Sequence, residues 1–261
     1  MASSKAVKAT ALAILKGNWG NAVAMAMIPF CASVIAYLIG SLLSLPMGTF
    51  SAIIVIAINL ILCAPLWLGA IRCYWRMAND VKDGVSEVFY YFSDVALYKR
   101  TLFFSLRLFL LVALGIVVVF IPALAVDFVT SESFYTMLNI ATPLWVLNLN
   151  FISGILGFLG FAASIAYVIC FFLAAFVFVT RDDIEPSKCI REGMKMAKYT
   201  KNTFSSYVFS FLGWILLSLF FVPVIFTAPY MLMAYTVGCR FAVASYNRII
   251  ESKVKIPTHE V

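Results

Sequence analysis

What this chain has least of is charge. Only 12% of its 261 residues are Asp, Glu, Lys or Arg, while 64% are hydrophobic; an ordinary soluble domain carries roughly 25% charged residues. Apolar surface in that proportion cannot be hidden in a water-soluble fold of this length. The composition excludes disordered, collagenous and coiled-coil chains and nucleic-acid-binding domains, and it points to a polytopic membrane protein. The one histidine, His259, lies in a polar tail. No Asp or Glu falls inside an apolar run long enough to cross a bilayer, which argues against a proton relay. None of the six cysteines is spaced CxxC, and most sit in apolar runs, where a thiol behaves as a small hydrophobe. Metal ligands, a P-loop, a dinucleotide motif and a nucleophile–base pair are all missing. The expectation is a non-enzyme with no metal, no cofactor and no catalytic residue. The N-terminal MASSKAVKATALAILKGNWG is not a signal peptide, because Lys16, Gly17 and Asn18 break its short apolar stretch.

What is present is a series of apolar runs. Spanning helices are expected over 20–44, 49–71, 102–126, 151–180, 204–226 and 229–247. Residues 133–149 read as an outer interfacial segment, marked by Asn148 and Asn150. Thr227-Ala228-Pro229 reads as a tight outer turn between the last two spans. The connections at 45–49, 127–150 and 227–229 hold no Lys or Arg, whereas the opposite side holds nearly all of them. That asymmetry predicts cytoplasmic termini, and two termini on one side require an even number of spans. The net charge of +7 is therefore a topology signal. The predicted fold is all-α: a single membrane domain over 1–261 with six spans and three cytoplasmic amphipathic segments (1–19, 77–101 and 181–203), ending in a cytoplasmic tail over 249–261.

Three segments align without gaps ahead of spans one, three and five: Ala13-Ile-Leu-Lys-Gly-Asn-Trp19, Ala96-Leu-Tyr-Lys-Arg-Thr-Leu102 and Ala197-Lys-Tyr-Thr-Lys-Asn-Thr203. They suggest a threefold unit of helix, span and span, as a duplication or as a recurring structural unit. In the third amphipathic helix, Pro186 suits a first helical position, and Asp182, Asp183 and Glu185 sit at the positive end of the dipole. Ile190, Gly193, Met194 and Ala197 fall on one face; Lys188, Arg191, Lys195 and Lys198 form a basic face opposite. In the second helix, α-helical spacing puts Val85, Val88, Phe89, Phe92 and Ala96 together. In the first, Val7, Ala11, Ile14 and Leu15 oppose Lys5, Lys8 and Lys16. Plain anchoring explains such helices; a collar touching anionic lipid headgroups or a soluble partner is the functional alternative.

Four arginines lie at the inner ends of the spans. Arg107 and Arg240 fall about 8 Å deep at 1.5 Å per residue. Arg72 and Arg76 close span two. Arg72, Arg107 and Arg240 are the candidate contacts for an anionic headgroup. Snorkelling is the alternative for all of them, and the simpler one for Arg72 and Arg76. Asn59, mid-span, predicts an interhelical hydrogen bond, and Gly154, Gly157, Gly160 and Ser164 predict a close-packing face on span four. Trp19, Trp67, Trp75, Trp145 and Trp214 read as interfacial anchors, and Asp127 and Glu132 as solvated loop residues.

Leu15-Lys-Gly-Asn-Trp19, Pro65-Leu-Trp-Leu-Gly69, Val88-Phe-Tyr-Tyr-Phe92, the 188–198 helix and Phe211-Leu-Gly-Trp214 occur in this order. Together they resemble the bacterial membrane-protein family catalogued as domain of unknown function nine-seven-five. That family is itself distantly similar to the membrane domain fused to some glycerophosphodiester phosphodiesterases. The resemblance covers most of the chain. It departs from the usual pattern at Ile121-Pro122-Ala123 and at Arg181-Asp182-Asp183, and no hydrolase domain is present. It implies a fold and a bacterial cytoplasmic-membrane location, but no established activity. The expected function is a non-enzymatic module binding membrane lipids through anionic headgroups, a protein partner or a second copy, with no nucleic acid; a transporter or exporter of a small or lipid-like molecule is the alternative.

Overall fold

The computed structural model describes residues 4–48, 50–81, 84–140, 146–211, 213–214 and 221–254, and among these there are helices and no strands. In chain order they are α1 (Ser4–Leu15), α2 (Trp19–Met47), α3 (Phe50–Ile58), a π-helical turn (Asn59–Cys63), α4 (Ala64–Met77) and a 3-10 helix (Val85–Phe92). These are followed by α5 (Val95–Thr130), α6 (Glu132–Met137), α7 (Val146–Ile169), α8 (Phe172–Thr180), α9 (Pro186–Ser210) and α10 (Phe221–Val254). Among the described residues, five helical segments are long and apolar enough to cross a membrane: Trp19–Pro46, Phe50–Met77, Val95–Thr130, Phe151–Thr180 and Pro223–Ile250. Large apolar side chains such as Leu42, Leu45, Phe50, Leu114, Phe151 and Phe158 are exposed along them. Only an apolar solvent makes that pattern stable, since lipid tails solvate these side chains without cost.

The last predicted turn is corrected. Thr227, Ala228 and Pro229 lie inside α10, which runs on to Val254. Pro229 forfeits one backbone bond, a loss that apolar spanning helices tolerate where neighbours pack around the proline. The predicted fifth span, 204–226, lies partly outside the described residues: α9 carries its start to Ser210 and α10 its end from Phe221. Of the predicted outer segment over 133–149, the described part contains α6 up to Met137 and the start of α7 from Val146, while residues 141–145, Trp145 among them, lie outside the described residues.

The chain divides into two compact units, Met1–Arg107 with Phe171–Val261, and Leu108–Cys170. The core of the first is built from Val7, Ala11 and Leu15 of α1, Met25 of α2, Leu66 and Tyr74 of α4, Val88, and Met233 and Val237 of α10. The α1 face is the one its spacing predicts. Tyr74, fully buried, donates its hydroxyl to the Ala22 carbonyl at 2.7 Å, which ties α4 to α2. Trp67 donates to Ser33 at 3.1 Å, and Ser33 donates to the Pro29 carbonyl at 2.9 Å, a second tie between the same helices. Lys8 donates to the Ser210 carbonyl at 2.7 Å, placing a cation on the last turn of α9, where the helix dipole favours it.

The second amphipathic segment is corrected in kind. Val85–Phe92 is a 3-10 helix, so residues three apart eclipse. Val88 and Tyr91 are fully buried, whereas Phe89 and Phe92, placed on the same face by α-helical spacing, are exposed. Gly69 explains the fit: a Cβ built there would stand 2.0 Å from the Val88 carbonyl oxygen, so the 3-10 backbone lies directly on α4. In the third segment, Cys189, Ile190, Met196 and Ala197 are buried and Met194 is exposed, displacing it from the predicted apolar face. That face is covered by protein: Gly193 lies against the α8 backbone, where an added Cβ would stand 2.6 Å from the Ala174 Cα.

Asn59 is also corrected. Its amide donates to Val55, four residues back on the same helix, at 2.9 Å. The local cause is Pro65, which has no N–H for the Ile61 carbonyl one turn earlier. The helix widens to π pairing over Asn59–Cys63, and Tyr98 donates to the freed Ile61 carbonyl at 3.0 Å. The three similar segments take different conformations. The first contains a break at Gly17 (φ +88°), while the other two lie within α5 and α9.

Within the second unit, α5 packs on α7 through glycines other than the predicted set. Gly154 and Gly157 have open space around them, and only Gly160 meets a ring, that of Phe120. The close approach is at Gly115, under the Tyr167 ring, whose hydroxyl donates to the Leu111 carbonyl at 2.9 Å. Asp127 lies within α5 rather than in a loop, and Ser153 donates to its carboxylate.

Candidate functional site

The strongest concentration of charge forms where α4, the 3-10 helix, the start of α5 and the turn between α8 and α9 meet. Arg72 comes from the last half of α4. Arg100 comes from the second turn of α5, whose first turn is fixed by the Asp94 carboxylate accepting from the Ala96 amide at 3.2 Å. Asp182 comes from the turn that follows α8, and Pro186 begins the next helix at a first position suited to proline.

Asp182 bridges the two arginines. Arg72 Nη1 stands 3.2 Å from Oδ2, and Arg100 Nη1 stands 3.3 Å from Oδ1. The guanidiniums are sunk, 11% and 16% exposed, whereas the carboxylate is 47% exposed at the rim. Arg100 Nη2 donates to the carbonyls of Arg181 at 2.8 Å and Ile184 at 3.0 Å, pinning the turn. The Arg72 guanidinium lies 3.6 Å over the Tyr90 ring, and that of Arg100 lies 4.5 Å over the Phe178 ring. Aromatic faces hold cations electrostatically and fix the plane of each fork. Arg181 is answered separately by Glu192 at 2.7 Å.

Two arginines against one carboxylate leave an excess of one positive charge. Two buried donors in the cluster also lack a hydrogen-bond partner, Arg72 Nε and the Tyr91 hydroxyl. Tyr91 is fully buried, within electrostatic reach of Arg72, Asp182 and Arg100. Burial pushes its phenol well above the ordinary range against the opposing pull of Arg72, so it stays a neutral donor. Burial likewise pushes up the thiol of Cys189, which points at the Ile184 carbonyl. An excess of guanidinium charge with unanswered donors has the chemistry to hold an anion.

The three predicted headgroup arginines have separate surroundings. Arg72 belongs to the cluster. Arg240 is exposed and donates to the Ala78 carbonyl at 2.8 Å, and Arg107 is exposed on α5. Lys188, Arg191, Lys195 and Lys198 are exposed on α9, with Lys188 3.9 Å from Glu185. Sequence reasoning missed Arg100, counted only as topology charge, and Asp182, assigned to the α9 dipole. The signal for both was the Arg181-Asp182-Asp183 departure at the end of an apolar run, on the same predicted side as Arg72 and Arg100.

Two cavities are lined by residues outside the cluster. One, of about 460 Å³, is apolar and lined by Phe30, Trp67, Ala228, Met231 and Tyr235. The other, of about 480 Å³, has a floor of Met25 and Cys73 and a rim of Lys16, Asn21 and Asp80.

Among the described residues, helices without strands, five spanning-length apolar segments and a charged cluster at their ends define the class of polytopic membrane proteins. Within it, the family model described as protein of unknown function (DUF975) matches residues 1–239, and the chain belongs to that family. No curated protein and no solved structure matches it.

Proposed function

We propose that the protein is a non-enzymatic module of the bacterial cytoplasmic membrane, with cytoplasmic termini, that holds an anionic lipid headgroup through Arg72 and Arg100. The supporting observation is the pair of sunken guanidiniums sharing one carboxylate, with Arg72 Nε and the Tyr91 hydroxyl unanswered beside them. The exposed Lys188, Arg191, Lys195 and Lys198 fit this reading. The apolar side of α9 is taken up by α8, so the helix offers its surroundings charge, which suits a bilayer of anionic headgroups. The test is mass spectrometry of lipids retained by the protein purified from native membranes in mild detergent. Anionic lipid enriched over the bulk membrane, and lost in Arg72→Gln, is the expected result. Retained lipid of bulk composition in the unaltered protein would sink the reading.

A transporter of a small lipid-like molecule is the second reading. It is favoured by the apolar cavity of about 460 Å³ beside Pro229, where α10 lacks a backbone bond. Protein-dependent flux of an amphipathic dye across proteoliposomes, abolished when Ala228→Trp fills the cavity, is its test.

A further inference from the structure

The arginine cluster is short of acceptors, and the acceptor it has fits loosely. Both oxygens of Asp182 are engaged, at 3.2 and 3.3 Å, longer than the roughly 2.7–2.9 Å of a good charge-assisted bond. Asp182 reaches in from an exposed turn, and its two oxygens, one on each arginine, leave Arg72 Nε and the Tyr91 hydroxyl without a partner. Each unanswered buried donor carries a desolvation cost that a further acceptor would remove. The guanidiniums themselves are already in place: Tyr90 and Phe178 fix their planes, and the Arg181 and Ile184 carbonyls hold one nitrogen of Arg100.

We infer that the ligand of this cluster is a phosphate group, which takes the place of the Asp182 carboxylate between Arg72 and Arg100 and also accepts from the Tyr91 hydroxyl and Arg72 Nε. Asp182 is then a built-in competitor, and binding displaces its side chain while the Arg181 and Ile184 carbonyls stay on Arg100. A phosphate monoester offers three free tetrahedral oxygens where a carboxylate offers two in a plane. It also carries about −1.5 to −2 charge near neutral pH, which answers both arginines where Asp182 answers one. The inference rests on the headgroup reading above and specifies its chemistry. The phosphate can belong to a lipid headgroup or to a soluble molecule.

The test uses the full chain in phosphatidylcholine nanodiscs. In one arm inorganic phosphate is titrated; in the other, phosphatidic acid progressively replaces phosphatidylcholine. Binding is read from the thermal unfolding midpoint and from phosphorus resonance broadening. Asp182→Asn is expected to bind about tenfold more tightly than the unaltered protein, since it removes the competing charge. Tyr91→Phe keeps the packing, loses only the hydroxyl, and is expected to bind several-fold more weakly. A response to inorganic phosphate supports a soluble source, and a response to phosphatidic acid alone supports a lipid source. If the unaltered protein retains anionic lipid but Asp182→Asn binds no more tightly and Tyr91→Phe no more weakly, the exchange is overturned and the headgroup reading stands. If no variant binds in either arm, the phosphate inference is overturned, and retained lipid of bulk composition in the unaltered protein overturns the headgroup reading as well.

Discussion

Gly69→Ala is the substitution that tests the architecture of the site most directly. The new methyl would stand 2.0 Å from the Val88 carbonyl oxygen and 2.8 Å from its carbon. Both are backbone atoms, so no side chain can swing aside. Ordinary contact needs about 3.5 Å, so the 3-10 helix must move off α4 by at least about 1 Å. Overpacking of a close interface costs about 1–3 kcal/mol, and a clash against backbone falls at the upper end. Opposing it is the gain in helix propensity from Gly to Ala, about 0.8–1 kcal/mol. The net expectation is a loss of about 1–2 kcal/mol, with Tyr90 and Tyr91 displaced from Arg72 and headgroup retention weakened. Gly157→Ala is the control: it has open space around it, so only the propensity gain remains and the protein should be unchanged or slightly more stable. Both are compared by helical circular dichroism on heating in the same detergent. If Gly69→Ala unfolds at or above the midpoint of Gly157→Ala, the close seating of the 3-10 helix on α4 is refuted.

Other substitutions probe separate contacts. Tyr98→Phe removes the donor to the Ile61 carbonyl and should cost about 1 kcal/mol; adding Pro65→Ala, which restores a backbone N–H, should recover part of it in a double-mutant cycle. Lys8→Met should lower the unfolding midpoint by the equivalent of about 0.5–1 kcal/mol through loss of the cation on the α9 terminus, and Lys8→Arg should restore it. Cys189 is buried with its thiol pushed up, so it stays protonated as pH rises through the ordinary thiol range. It should resist an impermeant maleimide at pH 8 until detergent unfolds the chain. Arg100→Gln, which unpins the Ile184 carbonyl over it, should speed labelling in the folded state; equal rates in both proteins would count against the pinned turn.

The amino-acid sequence by itself determined the class, because composition and run length are properties of the chain alone. With 64% hydrophobic residues, no arrangement could bury them all from water. Most spanning segments and the α1 face were likewise legible, since run length and periodicity act locally. Where sequence reasoning failed, a neighbour had overridden a local rule. Thr227-Ala228-Pro229 reads as a turn only while no packing holds α10 through the proline. Asn59 reads as an interhelical donor until Pro65 opens its own helix. Val88 and Phe89 share a face in an α-helix but not in the 3-10 helix that lies against Gly69. The glycines of α7 look like a packing face, yet the close contact belongs to Gly115 on the facing helix. The site was the least legible part, because Arg72, Arg100 and Asp182 are far apart in sequence and meet only when α8 packs on α4. Pattern along the chain fixes which side chains are charged and which are apolar; only tertiary packing decides that two arginines share one carboxylate and that a buried tyrosine beside them is left with a hydrogen bond to give.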